Sequence, residues 1–266
     1  MKPFCNTVLI LVIIAFSQVA CKQSKILELR VMSYNIKHGV GMDEVLDLSR
    51  ACRIIKSISP DLCGMQEIDS YCERSDSIGQ VEYISQKTSL QGTFGKFMEY
   101  QGGEYGMATL SGKPILSTRK LKLPDGVYEP RISLVHELEL ANECIITFSN
   151  VHFDWIEGEE GSAARLAQAM TLVKYIDSLG RGAIIIGDFN CTPNSPTMSY
   201  FKEQGFVFAE KGDDNLSFQG EEKGEIDHFI YRDSEKVKFQ LKTIVLIYEP
   251  IVSDHRPLVV DVEVSY

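Results

Sequence analysis

A short run in the second half of the chain constrains the fold strongly, because residues 183–186 (AIII) are apolar at every position. A strand that alternates between apolar and polar residues has one wet face, whereas a short, fully apolar strand has both faces buried. Gly180 ends the preceding helical pattern, and the polar segment GDFN follows the run directly. The sequence therefore predicts a sheet that is covered on both sides.

Strands and helices alternate along the rest of the chain, without an internal repeat or a low-complexity linker. Apolar periodicity predicts strands at residues 26–34, 62–66, 131–140, 144–151, 183–186, 226–231, 239–247 and 258–264. It predicts helices at residues 43–59 and 162–178, the second with Leu166, Ala167, Met170, Val173 and Ile176 on its inner face. Roughly ten strands with few helices favour one α/β domain with two sheets over a Rossmann repeat.

The first 21 residues, MKPFCNTVLILVIIAFSQVAC, combine a basic start with an apolar run that is short for a membrane span. This pattern predicts a secretory signal. The ending at Cys21 resembles the cleavage box of bacterial lipoproteins, which predicts an exported protein held at a membrane by lipid. Gln18 departs from the aliphatic residue usual there, so plain secretion and a retained anchor stay open. The folded domain is expected at residues 22–266.

Charge and cysteine content narrow the possible partners. The formal net charge is −10 at pH 7, whereas proteins that hold nucleic acid non-specifically present a basic face. A general nuclease is therefore disfavoured, although a local basic groove would override this. The cysteines beyond the leader are odd in number and form no C-x-x-C motif, so we expect mostly structural thiols rather than a zinc site, with Cys52, Cys63 and Cys144 in apolar segments. The full set is Cys52, Cys63, Cys72, Cys144 and Cys191.

Polar residues stand at or just beyond the ends of several predicted strands. Carboxylates, amides and histidines suit Mg²⁺ or Mn²⁺, and a histidine oriented by a carboxylate can take a proton from water. A divalent ion can also neutralise a phosphoryl oxygen. The pattern therefore predicts phosphate-ester hydrolysis, and its segments are YN (34–35), QE (66–67), HFD (152–154), GDFN (187–190), IDH (226–228) and SDH (253–255).

The order YN, QE, H-x-D, GDFN, ID and SDH resembles the endonuclease/exonuclease/phosphatase superfamily, which includes DNase I, sphingomyelinases and inositol-polyphosphate 5-phosphatases. The resemblance extends over about residues 26–266, nearly the whole predicted domain. It implies a four-layered α/β/β/α sandwich of two mixed sheets. It also implies a phosphoric ester hydrolase that depends on Mg²⁺ or Mn²⁺.

The resemblance assigns a role to each motif residue. Glu67 would be the main metal ligand, with Asn35 and Asp254 beside it or bound through water. Asp227 would orient His255 as an acid/base pair. The remaining members would position the attacking water, the phosphoryl oxygens or the leaving group: Asp188, Asn190, His152 and the substrate-binding Arg131.

Structural alternatives stay open for these positions, since Asn35 and the GDFN segment would also close turns and Glu67 would also suit a solvated strand end. Ser253 and Asp254 likewise favour a plain turn before Pro257. The residues expected beside the site rather than in its chemistry are His38, His228, Arg165, Gln168 and Trp155.

The substrate is the least constrained part of the hypothesis. Lys37 and His152 stand where the abasic-endonuclease branch of the superfamily has an acid and a tyrosine, which disfavours a repair enzyme. A small or lipid-derived phosphoester outside the cytoplasm is the favoured substrate. A secreted nuclease acting on DNA or RNA and a non-catalytic surface binding lipoprotein are the alternatives. The sequence does not indicate an oligomeric state.

Overall fold

The computed structural model describes residues 24–266. The predicted leader, including the lipid site at Cys21, lies outside the described residues and stays a prediction. None of the helices within residues 24–266 has the length and hydropathy needed to cross a membrane.

Twelve strands and four α-helices make up the described part of the chain. In order they are β1 (Ile26–Asn35), α1 (Leu48–Ile58), β2 (Leu62–Ser70), α2 (Gln80–Thr88), β3 (Gln91–Tyr100), β4 (Gly103–Ser111), β5 (Ile115–Lys122), β6 (Ile132–Ala141), β7 (Cys144–His152), α3 (Gly158–Leu179), β8 (Ala183–Asp188), α4 (Pro196–Glu203), β9 (Val207–Phe208), β10 (Asp227–Arg232), β11 (Lys238–Leu246) and β12 (Leu258–Ser265).

The strands form two six-stranded mixed sheets, with orders β11-β12-β1-β2-β4-β3 and β5-β6-β7-β8-β10-β9. A large and a small apolar cluster lie between the sheets, α1 and α2 cover the outer face of the first sheet, and α3 and α4 cover the second. Ile184 and Ile186 point into the central core, whereas Ile185 packs under the helices. The predicted four-layered α/β/β/α sandwich, with a sheet buried on both faces, is confirmed.

The two sheets share one topology, which no repeat in the sequence indicates. Each contains a single parallel pair, β1 with β2 and β7 with β8, and each pair is connected through a helix, α1 or α3. Every other pairing in both sheets is antiparallel. Parallel strands end at the same edge of a sheet, so each pair brings two motif segments together.

Several local predictions need correction. Helix α1 begins at Leu48 and not at residue 43, because the Asp47 carboxylate caps it by accepting a hydrogen bond from Ser49 N. Met170 was assigned to the inner face of α3, but it is 50% exposed, and Gln168 is buried instead. The sequence analysis predicts neither strands β3, β4, β5 and β9 nor helices α2 and α4.

The five described cysteines are free and buried, as expected from the sequence.

A buried amide links the two sheets below their carboxyl ends. Asn150 Nδ2 on β7 donates to the carbonyl oxygens of Met65 (3.2 Å) and Ala108 (2.8 Å), and Asn150 Oδ1 accepts from Gln66 Nε2 at 2.6 Å. Gly64 makes room for this contact, since a Cβ there would lie 2.8 Å from the Asn150 amide. Asn150 thus satisfies backbone and side-chain groups of the opposite sheet that water cannot reach.

Replacing Asn150 with alanine should lower the free energy of unfolding by about 3 kcal/mol, because buried partners on β2 and β4 lose their hydrogen bonds. Chemical denaturation measures the change. Thr147→Val is the matched control, since Thr147 lies on the same strand, is equally buried, and has a hydroxyl without a partner among the described residues. A similar loss of stability in both variants would contradict a specific role for the amide.

Candidate active site

The predicted motif residues converge in one cleft of about 450 Å³ at the carboxyl ends of the two parallel pairs. Seven of them line it: Glu67, Arg131, His152, Asp188, Asn190, Asp254 and His255. Asn35 and Asp227 lie behind the lining and hydrogen-bond to Glu67 and His255, respectively. The structure therefore brings all the predicted site residues together.

Glu67 reaches the cleft through an irregularity in β2. The pairing of β2 with β4 shifts register between Gln66 and Ile68, and Glu67 has a φ of 55°, which is rare for a residue other than glycine. A bulge of this kind turns one side chain out of the regular alternation while its neighbours stay buried. Asn35 Nδ2 then donates to Glu67 Oε1 at 3.0 Å and fixes the carboxylate.

His255 and Asp227 form a buried hydrogen-bonded pair. His255 Nδ1 lies 2.8 Å from Asp227 Oδ2, which leaves Nε2 directed toward Asp188 Oδ2 at 3.6 Å. Burial alone would lower the pKa of His255, but the charges of Asp227 and Asp188 outweigh it and raise the pKa above its usual value. Burial opposes ionisation of Asp227 as well, yet His255 holds the pKa of that carboxyl below its usual range.

Asp188 lies at the centre of the cleft. Its Oδ2 is 3.6 Å from His152 Nε2 and 3.3 Å from Asn35 Nδ2, and its Oδ1 accepts a hydrogen bond from Asn190 N at 2.9 Å. That last bond is the turn expected of a GDFN segment, so the turn and the site coexist. Burial raises the pKa of Asp188 to about 7. Asp188 is thus the carboxylate shared by both histidines.

His152 and Arg131 form another wall of the cleft. Burial, and then the charge of Arg131, lower the pKa of His152 to about 3, so its imidazole is neutral at pH 7. Arg131 is 1% exposed, its Nη1 lies 2.7 Å from Glu129 Oε2, and its guanidinium packs 5.0 Å from the centre of the Phe97 ring. This wall offers donor groups that are already oriented.

The residues expected beside the site support it from behind. Gln168 Oε1 accepts from Asp154 N, and Arg165 Nη1 donates to the carbonyl oxygens of Asp154 and Ile156. These bonds hold the loop after His152. His38 Nδ1 lies 3.8 Å from Glu67 Oε2. Trp155 is exposed at the rim of the cleft.

Sequence reasoning missed six lining residues, because they stand in segments without a recognisable motif: Tyr105, Glu129, Glu157, Phe218, Glu222 and Gly224. Phe218 lies 5.0 Å from the His255 ring, centre to centre. The preceding Ser217 accepts hydrogen bonds from the backbone of Ile226 and Asp227. The loop before β10 therefore fixes the backbone of the acid/base pair, although its sequence gives no signal of this.

The cleft contains the ligands that a hard divalent cation requires. Its carboxylates are Glu67, Asp188 and Asp254, with Asp227 behind them, and they outnumber the cationic groups Arg131 and His255. Oxygen ligands of this kind suit Mg²⁺ or Mn²⁺. The donor set therefore fits the ion implied by the sequence resemblance.

Glu67 is the best-placed ligand for such an ion. Within the described residues, one cluster of carboxylate and histidine side chains has potential ligand atoms that all lie within 4.8 Å of one another. Its members are Asp188, Asp227 and His255. Asp227 and His255 already share a hydrogen bond there, so they are poor ligands. Burial would raise the pKa of Glu67, but His38, His152 and Asn35 together lower it, which keeps Glu67 ionised. The Asn35 side chain faces Glu67 with its amide nitrogen, which donates a hydrogen bond to that carboxylate, while Asn35 Oδ1 accepts a hydrogen bond from Lys37 N.

A family model described as the endonuclease/exonuclease/phosphatase family matches residues 32–255. No curated protein matches the sequence.

Solved structures share the fold. An endonuclease/exonuclease/phosphatase from Beutenbergia cavernae has a TM-score of 0.74 at 17% identity, with 88% of this chain and 71% of that chain covered. One from Bacteroides vulgatus has a TM-score of 0.72 at 22% identity, with 89% and 98% covered. The mannosyl-6-phosphatase of Bacteroides thetaiotaomicron has a TM-score of 0.66 at 20% identity, with 88% and 99% covered.

Replacing Glu67 with glutamine should weaken Mn²⁺ binding at least about tenfold, because the variant loses the best-placed anionic oxygen. Isothermal titration calorimetry of the purified protein measures the affinity. Glu222→Gln is the control, since it removes the same charge from the exposed rim of the same cleft. Equal affinities for wild type and Glu67→Gln would place the cation elsewhere.

Proposed function

We propose that this protein is a divalent-metal-dependent phosphoesterase acting on small phosphodiesters or phosphomonoesters, because the chain belongs to the endonuclease/exonuclease/phosphatase family. The observation that carries the proposal is the convergence of Glu67, Asp188 and the His255–Asp227 pair in one cleft. A carboxylate for a cation and an oriented imidazole, both within reach of one phosphate, are the groups that in-line attack by water requires.

The roles follow from the position of each side chain. A cation at Glu67 would neutralise charge on the phosphoryl group. His255, oriented through Nδ1 by Asp227, would exchange a proton at Nε2 with the attacking water or the leaving group. Asp188 and Asn190 would position the water and the phosphate. His152 and Arg131 would donate hydrogen bonds to the phosphoryl oxygens from their wall of the cleft.

The charge around the cleft supports a small substrate. Glu129, Glu157 and Glu222 are in its lining, whereas Arg131 is the one lysine or arginine among the lining residues of the described chain. Arg131 is also buried and paired with Glu129. A long polyanion would meet repulsion at this rim, while a single phosphate would reach the cation. The mannosyl-6-phosphatase neighbour makes sugar phosphates a sensible first choice, beside lipid-derived phosphoesters.

We further propose that the protein is exported and held at a membrane by lipid on Cys21. Only the sequence pattern of residues 1–21 supports this part of the proposal.

The purified protein should hydrolyse bis-p-nitrophenyl phosphate with Mg²⁺ or Mn²⁺ and lose this activity on addition of a chelator. His255→Ala should lower kcat by about 100-fold or more, because the variant loses the proton-transfer group. A similar Tm for wild type and variant would show that the variant is folded. Turnover that resists the chelator would contradict the metal role, and full activity of His255→Ala would contradict the acid/base role.

Small substrates should be preferred over nucleic acid. In a panel of sugar phosphates, a phospholipid headgroup ester, plasmid DNA and RNA, we expect turnover of small esters and little degradation of the polymers, because of the acidic rim. Rapid degradation of plasmid or RNA would favour the nuclease alternative. No hydrolysis in the whole panel, together with tight binding of a glycan or protein, would favour the binding lipoprotein.

A further inference from the structure

A buried lysine lies next to the acid/base pair without lining the cleft. The Lys211 side chain is 0% exposed, its Nζ lies 2.7 Å from Glu225 Oε1, and it packs 5.3 Å from the centre of the Phe208 ring. The same Nζ lies 3.3 Å from His228 Nδ1. Lys211 thus connects a partly buried carboxylate to the histidine that follows Asp227 in the chain.

The hydrogen bonds of His228 determine its tautomer. His228 Nε2 lies 2.7 Å from the carbonyl oxygen of Cys191, which only accepts, so Nε2 carries the proton. An ammonium group only donates, so Nδ1 is the acceptor from Lys211. Burial and the charge of Lys211 lower the pKa of His228 to about 3, which agrees with a neutral ring. Both contacts therefore require the same tautomer, and Lys211 favours it.

The bond from His228 to Cys191 joins two catalytic segments. Asp227 and His228 are on β10, whereas Cys191 follows Asn190 in the loop after β8. The backbone hydrogen bonds between these segments extend as far as the one that Phe189 N donates to Ile226 O at 2.9 Å. Beyond that point, the His228 side chain links β10 to the loop, which Asn190 Nδ2 also anchors by donating to Phe153 O at 3.0 Å. The rings of Phe189 and Phe208 pack against the His228 imidazole at 5.3 and 5.1 Å.

Packing alone is a poor explanation for a lysine at this position. Burying an ammonium group is unfavourable, and a buried ion pair can often be replaced by apolar residues without loss of stability. Burial lowers the pKa of Lys211 in spite of Glu225, in keeping with this cost. A buried charge that adds little stability is better explained by the arrangement it enforces on its neighbours.

We propose that Lys211 and His228 are positioning residues: Lys211 fixes the tautomer of His228, and His228 holds the loop of Asp188 and Asn190 in register with Asp227. This inference rests on the proposed function, because its consequence is the rate of phosphoester hydrolysis. Reacting groups that move by about 1 Å can lose about 100-fold in rate, so a bridge of this kind matters without touching the substrate.

Two substitutions at His228 separate the bridge from simple packing. The amide of glutamine reaches about as far as Nε2 and can still donate to Cys191 O, whereas the amide of asparagine reaches only about as far as Nδ1. We expect His228→Gln to retain kcat within about threefold and His228→Asn to lose about 10- to 100-fold at an unchanged KM. His136→Asn is the control, because His136 is equally buried in the same sheet but its Nδ1 pairs with Thr118 on β5 and not with the loop after β8.

Removing the charge of Lys211 tests the tautomer directly. In Lys211→Met, we expect ¹⁵N NMR to show loss of the pure Nε2–H form of His228, and hydrogen exchange to show weaker protection of residues 189–192. The Tm should stay equal or rise while kcat falls. Neither the NMR nor the exchange measurement requires turnover. A wild type that hydrolyses no phosphoester would refute the proposed function, but both measurements would still test the link from His228 to the loop after β8.

The outcomes are distinct. Equal kcat values for His228→Gln and His228→Asn, or losses that parallel Tm in both, would overturn the proposal in favour of packing. An unchanged tautomer and unchanged exchange in Lys211→Met would overturn the role of Lys211. A selective loss in His228→Asn with a shifted tautomer in Lys211→Met would establish both roles.

Discussion

The amide of Asn150 crosses from one sheet to the other immediately below the cleft, and the geometry of the site depends on that contact. Its partners include Met65 O and the Gln66 side chain, so the segment that ends in Glu67 is held by hydrogen bonds. Asn150 itself stands two residues before His152. Apolar packing alone is non-directional, whereas these hydrogen bonds have defined lengths and fix the position of one sheet relative to the other.

The cleft combines directional positioning with unbalanced charge. Three of its carboxylates are oriented by a neighbour: Glu67 by Asn35, Asp188 by Asn190, and Asp227 by His255. Orientation does not remove the mutual repulsion of these carboxylates. The arrangement is therefore complementary to a phosphate together with a cation, and not to a phosphate alone. This is the property expected of a site that stabilises developing charge rather than the resting substrate.

Sequence reasoning could predict the layers and most site residues, because buried strands and their polar ends leave local patterns. The run at residues 183–186 indicated a doubly covered sheet, and the strand ends indicated the cleft. Edge strands β3 and β5 were missed since their exposed residues lack a clear apolar period. The bulge at Glu67, the shared topology of the two sheets and the Lys211 contact depend on residues distant in the chain, and no local pattern contains them.

The division of the cleft between two sheets of the same topology has a thermodynamic consequence. Glu67 belongs to one sheet, whereas Asp188 and Asp227 belong to the other. A phosphate ester that contacts residues of both sheets would therefore bind only the fully docked sandwich. By mass action, such a ligand shifts the unfolding equilibrium in proportion to the logarithm of its free concentration. Heat resistance would then vary with the local supply of substrate.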